Sequence, residues 1–309
     1  YSTFKIINME LNAKTIMNRL QKETELLKPI TPENSKKLKT VLVGMLSDLQ
    51  QVCMDNDIDV MLAYGSALGA VRHKGFIPWD DDLDVYMSRS DWNKFKSIFK
   101  SLMGDKYELE GPNANENAPK QTFAKIYLKG TDLTDIYDLN TPYLHGIYID
   151  IFILDNLAGH SIIRKIDAKV SEILKFIINS QTYYEYPNPL IEKFMKMKAS
   201  THLYLNFRKF LGFMISFKSH TFWCNWFDKF FSRHKKTSSG LTQFSWSREV
   251  FDRSVYYPCS EGDFEGLKVK LPGNVHEYLR KSYGDDYMEL PPMGKREDHM
   301  IINLNFGKY

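Results

Sequence analysis

The chain has 309 residues, of which 43% are hydrophobic and 26% charged, enough to bury one large core or two modest ones. Its formal net charge of +3 is unevenly spread: residues 156–250 carry 15 Lys/Arg against 6 Asp/Glu, an excess of +9 that leaves −6 for the rest. Three scattered cysteines, Cys53, Cys224 and Cys259, offer no CxxC or Cys/His spacing and argue against a disulfide framework or a structural zinc site. No apolar run approaches the roughly 18–20 residues needed to span a bilayer, and no secretory leader pattern opens the sequence.

In chain order, Thr31-Pro32 is an N-cap followed by proline at the first helical position. Leu38, Val41, Leu42, Met45, Leu49, Val52 and Cys53 then recur at three- and four-residue steps, predicting one long helix that ends near Asp55-Asn56-Asp57. Val60–Ala63 is a short buried strand closed by Gly65-Ser66, with a short helix over 67–72 and a Gly75/Pro78 loop behind it. Leu83–Met87 alternates at period two and predicts a second strand, and Ser90-Asp91 would cap a helix over 92–103. Residues 108–117 look loop-rich; 122–129 and 146–154 look like further strands. From Ile162 to about Arg233 the pattern is helical, basic and aromatic, and from Ser245 short strands surround one helix near 275–282. Alternating strands and helices in the first half predict an α/β fold with a mixed sheet. The expected organisation is an N-terminal extension (1–30), a catalytic core (31–155), a helical basic and aromatic subdomain (156–244) and a C-terminal segment (245–309) completing the core and its cleft.

The stretch Trp79–Asp84 places four carboxylates, Asp80, Asp81, Asp82 and Asp84, beside an apolar run, which is costly unless a cation sits there. Side chains alternate along a strand, so Asp82 and Asp84 share a face about 7 Å apart. Hard carboxylate oxygens suit Mg²⁺ or Mn²⁺. Asp150, an ionisable residue inside the apolar run 147–153, is the candidate third carboxylate. A strand that ends in Gly65-Ser66 and opens a helix offers backbone N–H groups to phosphate, and the glycine permits both a tight turn and close approach. Metal carboxylates beside a phosphate cradle point to phosphoryl transfer.

These residues resemble the LicD family, which shares its core with the fukutin-type transferases in the nucleotidyltransferase superfamily. The resemblance rests on Gly65-Ser66, on Leu68 to His73, and on Gly75 through Trp79 to Asp84. It continues in Phe123-Ala124-Lys125 with Thr131, Tyr148 to Phe152, Phe264-Glu265-Gly266, Tyr278-Leu279, Tyr283 to Tyr287, Pro291-Pro292 and Arg296, covering Leu38 to His299. It implies a nucleotidyltransferase-like core with flanking helices. It also implies transfer of a phospho-alcohol, phosphocholine from CDP-choline first among them, to a sugar hydroxyl of a cell-surface glycan such as teichoic acid or lipopolysaccharide. Asp82, Asp84 and Asp150 are then the catalytic and metal-binding residues. Gly65, Ser66, Arg72, Lys125, Trp79, Arg296 and His299 are candidates for substrate and phosphate, and His73 and Lys74 for neutralising charge. The gap between Gly-Ser and Asp-x-Asp is longer than the generic superfamily pattern, and the cysteine-rich metal loop of some eukaryotic relatives has no counterpart, which favours a bacterial-type member.

Two other transferase readings use the same residues: a nucleotidyltransferase proper, and an Asp-x-Asp glycosyltransferase, against which the short distance from Gly65 to Asp82 argues. A non-catalytic protein with a degenerate site is disfavoured by the presence of all three carboxylates. The expected partners are a CDP-activated alcohol and a glycan or lipid-linked glycan acceptor, with no nucleic acid, since no recognition signature accompanies the basic patch. Residues 207–236 mix bulky apolar groups with cations, a pattern that suits either a membrane interface or a helical subdomain. The expected location is cytoplasmic, peripheral at the inner face of the cell membrane. A choline group would seek aromatic faces; Tyr183-Tyr184-Glu185-Tyr186 is one such stretch, though it reads better as a helix end packing on the body.

Overall fold

The computed structural model describes residues 30–114, 119, 121–235, 240–242, 250–292 and 301–309. Helix α1 spans Pro32–Asp55, with the Thr31 hydroxyl accepting from the amide of Asn34 at 3.2 Å. It buries Leu38, Leu42, Met45, Leu46, Leu49 and Cys53, the stripe its spacing predicts. Asp57, at φ 48°, then turns the chain into β1 (Val60–Leu62). Helix α2 (Tyr64–His73), strand β2 (Asp84–Ser88) and helix α3 (Arg89–Leu102) follow. The cap of α3 is Ser88, whose hydroxyl accepts from the amide of Asp91, rather than the expected Ser90-Asp91 pair. The helix buries Trp92, Phe95 and Phe99.

Strands β3 (Tyr107–Glu110), β4 (Ala124–Leu128), β5 (Asp132–Asp135) and β6 (Tyr148–Asn156) complete the first half. The expected loop over 108–117 begins as a strand, because Tyr107 and Leu109 bury against β4 in spite of their polar neighbours. The main sheet runs β1-β2-β6-β4-β3, with β2 and β6 parallel and the other neighbours antiparallel. Farther along, β7 (Gly240–Thr242) joins the end of β6 and carries β8 (Val250–Asp252). The fold is therefore α/β with a mixed sheet.

Helices α4 (Ser161–Glu185), α5 (Pro189–Met195), α6 (Ala199–Ile215) and α7 (His220–Phe231) lie between β6 and β7. They enclose a second, smaller apolar cluster of Leu157, Ile178, Cys224, Phe227 and Phe231. Gly212 on α6 lets this helix meet α4 closely; a Cβ there would fall 2.3 Å from the Ser180 carbonyl oxygen. The sheet and helices are joined through Arg89, which grips Asp155 at 2.8 and 2.7 Å and Asp228 of α7 at 2.8 Å. Tyr183 and Tyr184 pack within this layer, the first against the Arg208 guanidinium and the second against Phe213. That is the helix-end role rather than a choline cage.

The C-terminal part contributes a short helix α8 (Arg253–Tyr256), the hairpin β9 (Ser260–Phe264) and β10 (Leu267–Leu271), helix α9 (Val275–Tyr283) and strand β11 (Ile301–Asn305), which pairs with β5. Phe264, Val269, Leu271, Tyr278 and Leu279 all join the main core. Among the described residues no helix is long and apolar enough to cross a membrane.

Candidate active site

The register of the sheet sets the site. Asp84, the first residue of β2, pairs with Asp150 on β6, and Asp150 pairs with Lys125 on β4. Residues paired across a ladder point to the same face, so two acids and one base form a row across three adjacent strands. Lys125 Nζ stands 2.6 Å from Asp150 Oδ1 and 3.4 Å above the centre of the Tyr148 ring. Both members of this ion pair are buried. Among the described residues Asp84 makes no such ion pair. Burial first, then the charges of Asp82 and Asp150, hold its carboxyl well above the usual range, with Lys125 pulling the other way. Leu83 and Val85 on either side are buried on the opposite face, the alternation that the sequence predicts.

Helix α2 begins beside this row. Because β1 runs antiparallel to β2, its exit lies at the entrance of β2, and the Ala63 amide bonds to the Asp84 carbonyl at 2.9 Å. The Ser66 hydroxyl accepts from the Asp84 amide at 2.9 Å. The turn out of β1 is not made at Gly65, as its sequence position suggests, but at Tyr64, with φ 39°. That backbone conformation is costly for a side-chain-bearing residue. It is held by the Tyr64 ring against Phe152, at 5.0 Å, and by the Tyr64 amide donating to the Tyr278 hydroxyl at 3.0 Å. Gly65 instead serves close approach: a Cβ on it would lie 2.8 Å from Asp80 Oδ2. The N-cap, Ala63, has no side chain that can cap the first turn. An Asp80 carboxylate oxygen thus lies against the first turn of α2.

The loop carrying the aspartates is braced from two sides that sequence reasoning gave no role. Lys39 of α1 donates to the carbonyls of Ile77 and Pro78, at 3.3 and 2.9 Å. Burial lowers its ammonium pKa, while Asp80, Glu265 and Asp81 oppose the shift. Glu265, in the turn of the β9–β10 hairpin, accepts from the Phe76 amide at 3.1 Å, and its own amide bonds to the Lys74 carbonyl. Lys39 falls between stripe positions of an amphipathic helix, where a lysine is ordinary surface, so no sequence signal marks it. Glu265 and Tyr278 stand in stretches quoted for the family resemblance, which is the signal that could have found them.

Other candidates are placed differently. Arg72 donates to the carbonyls of Tyr287 and Glu289, at 2.9 and 3.0 Å, and to His73 Nε2 at 2.9 Å, so it pins the segment after α9 to α2. His73 is accordingly a neutral acceptor, its pKa lowered by burial and then by Arg72. Lys74 is exposed at the C-cap, and Trp79 packs partly buried against the main core. Arg296 and His299 lie outside the described residues.

The donor set is hard oxygen, suited to Mg²⁺ or Mn²⁺ in chemistry, and the repulsion stored at Asp84 is what a divalent ion would relieve. No group of three or more His, Cys, Asp or Glu side chains among the described residues is arranged to hold a metal ion as it stands. Asp82, Asp84 and Asp150 therefore do not form a ready cage. At Asp150, Lys125 occupies the position at Oδ1.

Strand-borne acids at the mouth of a mixed sheet thus stand beside the first turn of α2. Residues 57–160 match the family model described as LicD/FKTN/FKRP, nucleotidyltransferase domain. The chain is 29% identical over 266 residues to the lipopolysaccharide cholinephosphotransferase LicD of Haemophilus influenzae, covering 84% of this chain and 94% of that protein. Shorter matches reach uncharacterized proteins of Rickettsia typhi (38% over 71 residues, 22% of this chain and 23% of the other) and Rickettsia prowazekii (39% over 87 residues, 28% and 32%).

Proposed function

We propose that this chain is a divalent-metal-dependent phosphotransferase that moves phosphocholine from CDP-choline to a sugar hydroxyl of a cell-surface glycan, a lipopolysaccharide or teichoic acid, releasing CMP. The observation that carries the reading is the row Asp84–Asp150–Lys125, set by register across three strands, beside the first turn of α2. Similarity to a lipopolysaccharide cholinephosphotransferase over most of both chains supports the choice of donor and acceptor.

In this reading Asp82 and Asp84 hold Mg²⁺ or Mn²⁺. The ion supplies charge neutralisation on the diphosphate and on the departing CMP. The first turn of α2 binds phosphate oxygens through the amides of Gly65 and Ser66, displacing the Asp80 carboxylate that rests there. Ser66 keeps that turn in register with Asp84. The acceptor oxygen bonds to the choline-bearing phosphorus, and the bond from that phosphorus to the bridging oxygen breaks, with CMP leaving on the electron pair. Asp150 takes the proton of the sugar hydroxyl. The contact with Lys125 favours this role over that of a third ligand, because it fixes the side chain and already occupies Oδ1. Lys39 and Glu265 keep the aspartate loop closed against the body. Work on the inner face of the cell membrane follows from a lipid-linked acceptor and a cytosolic nucleotide donor.

The test is metal titration. Transfer should vanish with EDTA and return with Mg²⁺ or Mn²⁺, and Asp82→Asn should raise the metal concentration required. Full transfer in EDTA would refute the metal role.

A further inference from the structure

Helix α6 buries one face and leaves an apolar stripe on the opposite one. Thr201, Leu205, Arg208 and Gly212 face inward and are buried against its neighbours. On the other side Leu203, Phe207, Phe210 and Met214 recur at steps of four, three and four residues, and Phe217 continues the line three residues on. This outer stripe is open: Leu203 is 72% exposed, Phe210 57% and Phe217 71%. An amphipathic helix presents polar groups on its outer face; this one presents an apolar face of large side chains, beyond the scattered exposed residues that need no explanation.

Where the stripe ends, Phe217 meets Trp223 at 5.6 Å and Trp223 meets Trp226 at 6.1 Å. The Trp223 indole donates to the Ile215 carbonyl, and Lys218 reaches over the Phe222 ring. Amphipathic aromatic rings of this kind favour the headgroup level of a bilayer. The helical segment as a whole carries a positive excess: residues 161–235 hold 13 Lys/Arg against 5 Asp/Glu.

We infer that the outer face of α6, with the α6–α7 corner, lies in the interface of a membrane containing anionic lipid. The apolar stripe inserts among the acyl chains near the headgroups, about 5–10 Å deep, and the lysines meet lipid phosphates. The charge balance selects this occupant over a second copy of the chain, since a twofold contact would set one positively charged segment against its twin. No described helix spans a bilayer, so the contact is made from one side. The inference deepens the reading of a lipid-linked acceptor but stands on residues remote in sequence from Asp82, Asp84 and Asp150, and it fails separately.

The experiment is co-sedimentation of the full chain with vesicles of phosphatidylethanolamine and phosphatidylglycerol, and with vesicles of phosphatidylcholine alone. The protein should bind the anionic vesicles, bind the neutral ones weakly, and be released by added salt. Phe210→Ser with Phe217→Ser should cut the partition coefficient about tenfold or more while leaving the circular dichroism spectrum intact. Leu203→Gln, on a side chain almost wholly in solvent, should weaken binding in the same direction and covers the case in which the double variant does not fold. Asp84→Asn should bind vesicles like the wild type while losing transfer, which separates failure of this inference from failure of the catalytic reading. Absence of binding to anionic vesicles, binding unchanged by the stripe variants, or a dimer in light scattering that these variants dissolve would overturn the inference.

Discussion

The Ser66 hydroxyl, in the first turn of α2, accepts a hydrogen bond from the backbone amide of Asp84 at 2.9 Å. This contact ties the first turn of α2 to the strand that carries Asp84, so the two halves of the candidate site are held in register. Ser66→Ala would leave the Asp84 amide without its partner in a half-buried place. It should cost about 1–3 kcal/mol of stability and lower the transfer rate by about tenfold, read by thermal melting and CMP release.

Asp84 carries unfavourable charge. Its pKa is raised by burial and by two neighbouring carboxylates, so its ionised form destabilises the fold in the absence of metal. Asp84→Asn should abolish transfer, by about 10³-fold or more, while the melting temperature of the metal-free protein stays level or rises. A large fall in melting temperature would mean that the carboxylate is structural.

Lys125 and Asp150 form a buried pair, and breaking such a pair from one side is the costly operation. Lys125→Met should destabilise the protein by about 3–5 kcal/mol. Lys125→Met combined with Asp150→Leu should recover most of that stability and none of the activity. Denaturant titration of the four forms gives the coupling directly.

Gly65→Ala separates binding from folding. The new methyl would meet the end of the flexible Asp80 side chain, which can swing aside, and alanine favours the helix by about 1 kcal/mol. Stability should hold or rise, whereas the Michaelis constant for the nucleotide donor should rise about tenfold or more, because the methyl stands where phosphate would approach.

His220 offers a pH test away from the site. It is buried, its Nδ1 lies 3.2 Å from the Pro119 carbonyl, and burial pulls its pKa from 6.5 to about 4. The folded state thus binds its proton less readily than the unfolded state. The associated stability is fully present above about pH 6.5 and is lost as pH falls through about 4, a difference of about 3 kcal/mol. His220→Leu should flatten the decline in melting temperature between those two pH values.

Much of the fold and the site was legible in the sequence, for physical reasons that differ by element. Helix α1 and strands β1, β2 and β6 were readable because their apolar periodicity is strong and they bury one face or both. The approach of Asp84 to Asp150 was anticipated from an acid inside an apolar run, which must have a reason to be there. That Lys125 neutralises Asp150 depends on which strands are neighbours, and β4 lies beside β6 only through long-range pairing. The role of Lys39 was illegible for the same reason, and Glu265 and Tyr278 were marked only by the family resemblance: each acts on a loop or a helix end far away in the chain. Strand β3 and the pairing of β5 with β11 were missed because their residues are polar and their partners remote.

The most direct measurement incubates the protein with Mg²⁺, CDP-choline and a lipopolysaccharide or teichoic acid acceptor, then weighs the acceptor by mass spectrometry while following CMP release. The expected result is an acceptor heavier by one phosphocholine group for each CMP released, with neither product formed by Asp84→Asn. An acceptor carrying CMP instead, or no CMP from any CDP-alcohol offered, would contradict phosphocholine transfer at this site.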